Sequence, residues 1–149
     1  MAPRVSPVYF TDENALGLGV LLQRSGRTDF LYPGHPDLPE VPRGTGDQEW
    51  LAIVGDRGFI VLGRDRRIRT RPAELRAYYE HGVRSVWIGA KQDLGPKQQA
   101  DIFLRYEDRL RREIIKRGPG PWALAMSPSG IRPLRLGPII FDERSSGRD

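Results

Sequence analysis

Hydrophobic positions along the chain form two alternating patterns: short continuous apolar runs, and longer segments in which apolar residues recur at helical spacing. The short runs have the length and the β-branched or aromatic content of strands. Five strands are predicted, at residues 5–12, 27–34, 59–65, 83–90 and 122–127. Residues 128–136 predict a β-turn and a returning edge strand.

Helices are predicted between these strands, at residues 15–26, 47–58, 71–82 and 96–117. The first is expected to bury Leu16, Val20 and Leu21 on one face, and the second to bury Trp50, Leu51 and Val54. Strands that alternate with helices build an α/β sheet, mostly parallel, with helices on both faces. We therefore expect a single domain over residues 1–136 and a flexible C-terminal tail over residues 137–149.

The fourth helix has the strongest pattern, because residues 103–114 carry an apolar stripe with a period of three to four. Opposite charges four residues apart, Glu107 with Arg111 and Asp108 with Arg112, are expected to support it. The segment before the second helix, residues 35–46, holds three prolines and two glycines and predicts an ordered loop.

Composition excludes several classes of protein. The chain of 149 residues has no cysteine, which rules out a disulfide framework and a thiolate zinc site. No apolar run approaches the roughly 20 residues of a membrane span, and the N-terminus lacks the apolar core of a signal peptide. These features favour a cytoplasmic protein that does not enter a membrane.

Charge points to an anionic partner. The net charge is +5, and 21 of the 24 basic residues are arginine. Arginine binds phosphate through two parallel hydrogen bonds and stacks on bases, so this bias favours nucleic acid. The alternative is that it reflects a GC-rich genome.

Three acids are predicted to meet at the carboxyl edge of the sheet. Asp12 ends the first strand, Asp65 ends the third, and Asp47 begins the helix that leads into that third strand. Ligands bind at this edge in open α/β sheets, and a cluster of oxygen ligands suits Mg²⁺ or Mn²⁺. Glu13, Asn14 and Glu49 lie near enough in sequence to support such a site.

Each acid also has a structural interpretation. Asp12 could cap the following helix, Asp47 could be the N-cap of its helix, and Asp65 could be an ion-paired surface acid. Glu13 and Glu49 could be solvated surface residues.

Basic residues flank the third acid. Between Arg57 and Arg71 the chain carries six arginines and one acid. Phosphate binding is the natural use of such a segment beside a metal site, although charge runs are usually solvated. His35, in the proline-rich loop, is a further candidate to contact RNA. The proposed RNA-binding residues are His35, Arg64, Arg66, Arg67, Arg69 and Arg71.

Four segments, "FTDENALG", "YPGHPDLPEVPRGTGDQEWL", "VLGRDRRIRTRPAEL" and "RGPGPW", together resemble the PIN-like domains of VapC-type toxins from bacterial toxin–antitoxin pairs. The resemblance covers roughly residues 7–125. It implies a three-layer α/β/α fold and an Mg²⁺- or Mn²⁺-dependent ribonuclease, often dimeric and silenced by a cognate antitoxin.

Carried onto this chain, the catalytic and metal-binding acids of the family fall on Asp12, Asp47 and Asp65. The family tends to place a further acid or amide shortly after the third, but Arg66 and Arg67 follow Asp65 here, which favours one metal ion or assistance from Glu13. The sequence therefore predicts an endoribonuclease toxin. The alternatives are a non-catalytic RNA-binding module with this fold, and a metal-dependent phosphohydrolase of small esters.

Overall fold

The computed structural model of the chain describes residues 6–64, 71–90 and 93–137. The strands are β1 Tyr9–Thr11, β2 Phe30–Leu31, β3 Ile60–Gly63, β4 Arg84–Ile88, β5 Trp122–Ser127 and β6 Gly130–Leu134. The helices are α1 Leu16–Arg24, α2 Asp47–Asp56, α3 Pro72–His81 and α4 Pro96–Arg117, with a 3₁₀ turn at Glu13–Ala15 before α1.

All six strands form one sheet in the order β2-β1-β3-β4-β5-β6. The first five are parallel to one another, and β6 returns antiparallel to β5. Strand β3 lies inside the sheet and all four of its residues are buried, as its continuous apolar run predicted. The predicted mostly parallel, three-layer α/β/α architecture is confirmed.

Two hydrophobic cores cover the two faces of the sheet. One packs α1 and α4 against the side that carries Tyr9, Leu62 and Leu124. The other packs α2 and α3 against the side that carries Phe10 and Val61. Successive strand residues therefore point into different cores, as the period of two in a strand requires.

The buried face predicted for α1 is wrong. Leu18 and Leu22 are buried, at 1% and 2% exposure, whereas Leu21 is 37% exposed and Leu16 and Val20 are only half-buried. Almost every position from 16 to 22 is apolar or glycine, so the periodicity alone could not select a face. Gly19 decides the orientation, because it lets the helix backbone approach β1 closely.

Helix α4 begins and ends where its sequence predicted. Its stripe is buried against the sheet, and Glu107 pairs with Arg111 at 3.2 Å. The predicted pair of Asp108 with Arg112 is not formed among the described residues, because both side chains are exposed and hydration outweighs a weak surface attraction.

The remaining differences are at element ends. Strand β1 covers residues 9–11 rather than 5–12, and α2 is preceded by Gly46 as its N-cap, so Asp47 is the first helical residue and not the cap. The domain boundary at residue 136 stays a prediction, and most of the expected flexible tail, residues 138–149, lies outside the described residues. None of the helices in the described ranges has the length and apolar character needed to cross a membrane.

Candidate functional site at the carboxyl edge of the sheet

Asp12 is a nearly buried carboxylate at the end of β1. Its exposure is 4%, and the preceding Thr11 is fully buried. Oδ1 of Asp12 accepts a hydrogen bond of 3.0 Å from the backbone N–H of Ala15. Asp12 therefore caps the 3₁₀ turn that leads into α1, whereas the N-cap of α1 itself is Ala15. A cap of this kind occupies one lone pair of the carboxylate and does not prevent the group from also binding a cation.

Asp47 opens α2, where the helix dipole favours a negative charge. Its Oδ1 accepts a hydrogen bond of 3.0 Å from the indole nitrogen of Trp50. A terminal nitrogen of Arg71 lies 3.6 Å from Oδ2, and the Asp47 side chain is 38% exposed. The carboxylate is therefore held from two sides and remains accessible to solvent.

A contact between two loops brings these acids to the same edge of the sheet. The backbone N–H of Gly44, just before α2, donates a hydrogen bond of 2.5 Å to Oε2 of Glu13, just after Asp12. Helix α2 runs from this edge to the opposite end of β3, which it enters through a short turn at residues 57–59. Asp12 and Asp47 therefore both lie at the carboxyl edge.

The end of β3 lies at this edge as well. Thr11 pairs in register with Leu62, so Gly63, the last residue of β3, lies beside Asp12, and Arg64 follows it. The third predicted acid, Asp65, lies outside the described residues, as do Arg66, Arg67 and Arg69. Its position relative to the other two acids stays a prediction.

Among the described residues, no three histidine, aspartate or glutamate side chains are arranged to hold a metal ion. The described acids alone thus do not complete a metal site, and a three-carboxylate site requires Asp65. The chemistry of the donors still fits a hard divalent cation, because Asp12 and Asp47 offer only carboxylate oxygens and the chain has no cysteine. Glu13, Asn14 and Glu49 are all exposed, and Glu13 is engaged with Gly44.

Of the proposed RNA-binding arginines, the two that are described, Arg64 and Arg71, both form ion pairs. Arg64 lies 3.6 Å from Asp93, whose side chain is fully exposed, and Arg71 lies 3.6 Å from Asp47. Distances of this length at exposed positions correspond to weak interactions. The Arg64–Asp93 pair can therefore be exchanged for phosphate at low energetic cost.

His35 is buried, at 8% exposure, and does not face solvent at the edge. Its Nδ1 accepts a hydrogen bond of 2.9 Å from the backbone N–H of Asp37, and its ring packs edge-on against Tyr32 at 5.0 Å. Nε2 lies 3.4 Å from the side-chain nitrogen of Gln23. These contacts give His35 a structural role in the loop; its RNA-binding role stays a prediction that its burial does not favour.

Sequence reasoning missed two groups near this edge. The Trp50 indole holds Asp47, and the i, i+3 spacing of the two residues on a helix is the signal that could have found it. Gln99, in the first turns of α4, is 2% exposed; its side-chain nitrogen donates to the carbonyl of Leu94, and its Oε1 has no partner among the described residues. A buried glutamine has no signal in a single sequence.

A family model described as a PIN like domain matches residues 7–90, which is more than half of the chain. The chain belongs to the PIN-like domain family. The matched region contains Asp12, Asp47 and Asp65 and ends after β4 of this PIN-like domain. Comparisons with curated proteins and with solved structures return no significant match. Membership in this family assigns the chain a nuclease-type fold.

Proposed function

We propose that this PIN-like domain is a metal-dependent endoribonuclease that cleaves phosphodiester bonds in single-stranded RNA. The observation that carries the proposal is the nearly buried carboxylate of Asp12 at the carboxyl end of β1 in a sheet of this family. This edge is where ligands bind in open α/β sheets, and a carboxylate offers the oxygen donors that a hard divalent cation prefers.

Asp12, Asp47 and Asp65 would hold one Mg²⁺ or Mn²⁺ ion. When bound, such an ion supplies positive charge to the phosphodiester and lowers the pKa of a water that attacks it. Asp47 is oriented for this role by the indole of Trp50, and the loop contact between Glu13 and Gly44 fixes α2 against the end of β1.

The arginines around Asp65 would bind the RNA backbone. Arg64 and Arg71 flank residues 65–70 in the sequence, and the weak pair of Arg64 with the fully exposed Asp93 leaves the Arg64 guanidinium available to phosphate. Arg66, Arg67 and Arg69 add three charges between them. An open basic edge suits a polymer better than a small ester, and an unpaired strand exposes its backbone and bases to such an edge.

The resemblance to VapC-type toxins supports a finer proposal. The chain would act in the cytoplasm as the toxin of a toxin–antitoxin pair, with a cognate antitoxin protein as its inhibitor and with a homodimer as its assembled form. Co-expression with the product of an adjacent small gene, followed by a growth assay, tests this role directly. Relief of growth arrest by that product supports it, and arrest unaffected by any neighbouring gene contradicts it.

Cleavage of a fluorescently labelled single-stranded RNA tests the main proposal. We expect cleavage with Mg²⁺ or Mn²⁺, none with EDTA, and none in an Asp12→Asn variant whose melting temperature is unchanged. The control for the loss of one negative charge is Asp56→Asn. Asp56 lies at the opposite end of α2 and pairs with His81. Full activity of Asp12→Asn would contradict the proposal.

One observation favours a second candidate, the non-catalytic RNA-binding module. Both carboxylate oxygens of Asp47 have nitrogen donors nearby, Trp50 at 3.0 Å and Arg71 at 3.6 Å, which also suits a purely structural acid. RNA binding without cleavage under any divalent metal would establish this candidate. Rapid hydrolysis of a chromogenic phosphate ester would instead favour the small-ester phosphohydrolase.

A further inference from the structure

A basic stripe lies on the exposed side of α4, outside the set of candidate site residues. We define the α4 stripe as Arg105, Arg109, Arg112 and Lys116, which occupy positions i, i+4, i+7 and i+11. With 3.6 residues in each turn, these four side chains fall within about 60° of one another around the helix and span about 16 Å along it. All four residues are exposed.

The side chains of the α4 stripe form no ion pair within the described part of the chain, although Glu113 attracts Arg109 and Lys116 at longer range. The nearest acid on one flank, Glu113, is bound by Arg117 at 2.9 Å, and this bond lowers the pKa of Glu113. Asp101 and Asp108 lie on the other flank, outside the stripe.

Two members of the α4 stripe are pre-oriented by the β5–β6 hairpin. Arg105 donates one hydrogen bond of 3.3 Å to the carbonyl of Pro128, and Arg109 donates one of 3.3 Å to the carbonyl of Ile131. A guanidinium has five N–H groups, so each retains most of its donors for a ligand. Side chains that are already ordered lose less conformational entropy on binding.

The α4 stripe begins at the same edge of the sheet as the candidate site. Pro128 directly follows β5, and the parallel strands β1, β3, β4 and β5 all end at this edge. Three inter-strand steps of about 4.8 Å place β1 and β5 about 14 Å apart across the sheet, and β5 continues three residues beyond the level of Thr11. The stripe then continues along α4 towards the opposite end of the sheet.

We infer that the α4 stripe binds the backbone of single-stranded RNA that extends beyond the bond held at the carboxyl edge. The inference rests on the proposed function for the identity of the polymer. Three of the four cations are arginines, which bind phosphate through two hydrogen bonds at once. Continuity with the candidate site at the carboxyl edge favours RNA over an acidic protein as the occupant.

The test uses Arg112 and Lys116, which make no hydrogen bond to the hairpin among the described residues. Binding of an RNA of about 20 nucleotides, longer than the usual 4–16 nucleotide sites, is measured in EDTA over a range of salt concentrations. In the Arg112→Gln, Lys116→Gln double variant, the salt slope should fall by about 1.4 log units, since each single-strand phosphate contact contributes about 0.7. An unchanged slope would overturn the inference.

The matched control removes two charges from other surfaces. Arg24 on α1 and Arg76 on α3 are exposed and form no ion pair within the described ranges, so Arg24→Gln with Arg76→Gln should leave the slope unchanged. An equal fall in both double variants would show a general charge effect and contradict the inference. Polyglutamate serves as a competitor that represents an acidic protein. If it displaces the RNA, and if the α4 variant loses as much affinity for polyglutamate as for RNA, the stripe binds an acidic protein and the inference is overturned.

Two readouts separate this inference from the proposed function. If the native chain never cleaves RNA and the slope still falls in the α4 variant, the proposed nuclease activity fails and the binding surface stands. If the native chain cleaves RNA and the slope is unchanged, the surface fails alone. If the proposed function and this inference are both correct, the α4 variant should cleave an oligonucleotide of about six nucleotides as fast as the native chain does. It should cleave a long RNA more slowly at moderate salt, because only the long RNA extends beyond the carboxyl edge to the α4 stripe.

Discussion

The indole nitrogen of Trp50 donates a hydrogen bond of 3.0 Å to the carboxylate of Asp47, one turn earlier in α2. The same indole packs on Phe10 of β1, with the ring centroids 5.1 Å apart. Phe10 lies two residues before Asp12. The buried Trp50 side chain therefore contacts the strand that leads to Asp12 and also orients the Asp47 carboxylate.

Trp50→Phe tests this link, because phenylalanine keeps the contact with Phe10 and removes the N–H. If Asp47 is a metal ligand, loss of its hydrogen-bonded support should weaken Mn²⁺ binding by about 10- to 100-fold, measured by calorimetric titration. Trp87→Phe is the control, since the Trp87 indole donates to Ser85 at 2.9 Å elsewhere in the same core. Equal losses of Mn²⁺ affinity in both variants would contradict the positioning role.

Two substitutions at Asp12 separate its capping role from its proposed catalytic role. Asparagine is as good a cap as aspartate, so Asp12→Asn should keep the fold and lose cleavage. Asp12→Ala also loses the bond to the Ala15 N–H and should cost about 1 kcal/mol of unfolding free energy in addition. Urea denaturation and the RNA cleavage assay on the same preparations measure both effects. Equal stability of the two variants would show that the cap contributes nothing.

Gly19→Ala should destabilise the protein although alanine favours helix. A Cβ at this position would lie 2.4 Å from the Thr11 hydroxyl oxygen and 3.2 Å from the Tyr32 ring. Such overpacking typically costs about 1–3 kcal/mol, which exceeds the gain in helix propensity of about 1 kcal/mol. Thermal denaturation measures the change.

Thr11→Ala in the same chain provides the internal control for this prediction. It removes the oxygen that the new methyl group would meet, so the double variant should recover part of the lost stability. The Thr11 hydroxyl has no partner among the described residues, so its removal alone should cost little hydrogen-bond energy. If the double variant recovers no stability, the destabilisation by Gly19→Ala does not come from the contact with the Thr11 hydroxyl.

Tyr9→Phe should change stability mainly at alkaline pH. Burial, and to a lesser degree the Glu107 carboxylate, raise the pKa of the Tyr9 phenol above its ordinary value near 10. The phenol therefore ionises at a lower pH in the unfolded state than in the native state. The free energy of unfolding should begin to fall above about pH 10, by up to about 1.4 kcal/mol per pH unit from this group. Phenylalanine should remove this part of the fall.

At neutral pH, Tyr9→Phe should hold or raise the melting temperature, because the Tyr9 hydroxyl is buried with no partner among the described residues. The control is Tyr79→Phe, at a 37% exposed tyrosine whose hydroxyl donates to the Gly137 carbonyl at 3.0 Å. It should lower rather than raise the melting temperature at neutral pH, because the protein loses that hydrogen bond. Urea denaturation between pH 8 and about pH 11 distinguishes the two variants.

Most of the fold could be predicted from the sequence, because its signals are local. Proline at the start of α3 and Gly82 in the left-handed conformation at its end fixed both limits of that helix. The six residues of β5 were predicted with the correct bounds for the same reason, since "GPGP" precedes them and a turn follows. The face of α1 could not be predicted, because it depends on Gly19 packing on Thr11, a contact that periodicity does not encode.

The candidate site was predictable only in outline. Topology alone brings Asp12 and the start of α2 to one edge, since a crossover helix runs antiparallel to its strands. The burial of His35 was not predictable, because a proline-rich loop gives no sign that Leu38 and Val41 within it are fully buried. The i, i+3 spacing of Asp47 and Trp50 is compatible with a hydrogen bond between their side chains. Many residue pairs with this spacing on a helix make no such bond, so the spacing alone could not predict it.

Both lateral edges of the sheet are poor templates for an additional strand. Strand β2 has two residues, and β6 contains Pro133, which has no N–H to donate. A protein that binds this domain therefore cannot easily do so by extending the sheet with its own backbone. A protein that inhibits this domain would have to recognise side chains on the helices or bind at the carboxyl edge. Single substitutions of those side chains would then alter its specificity.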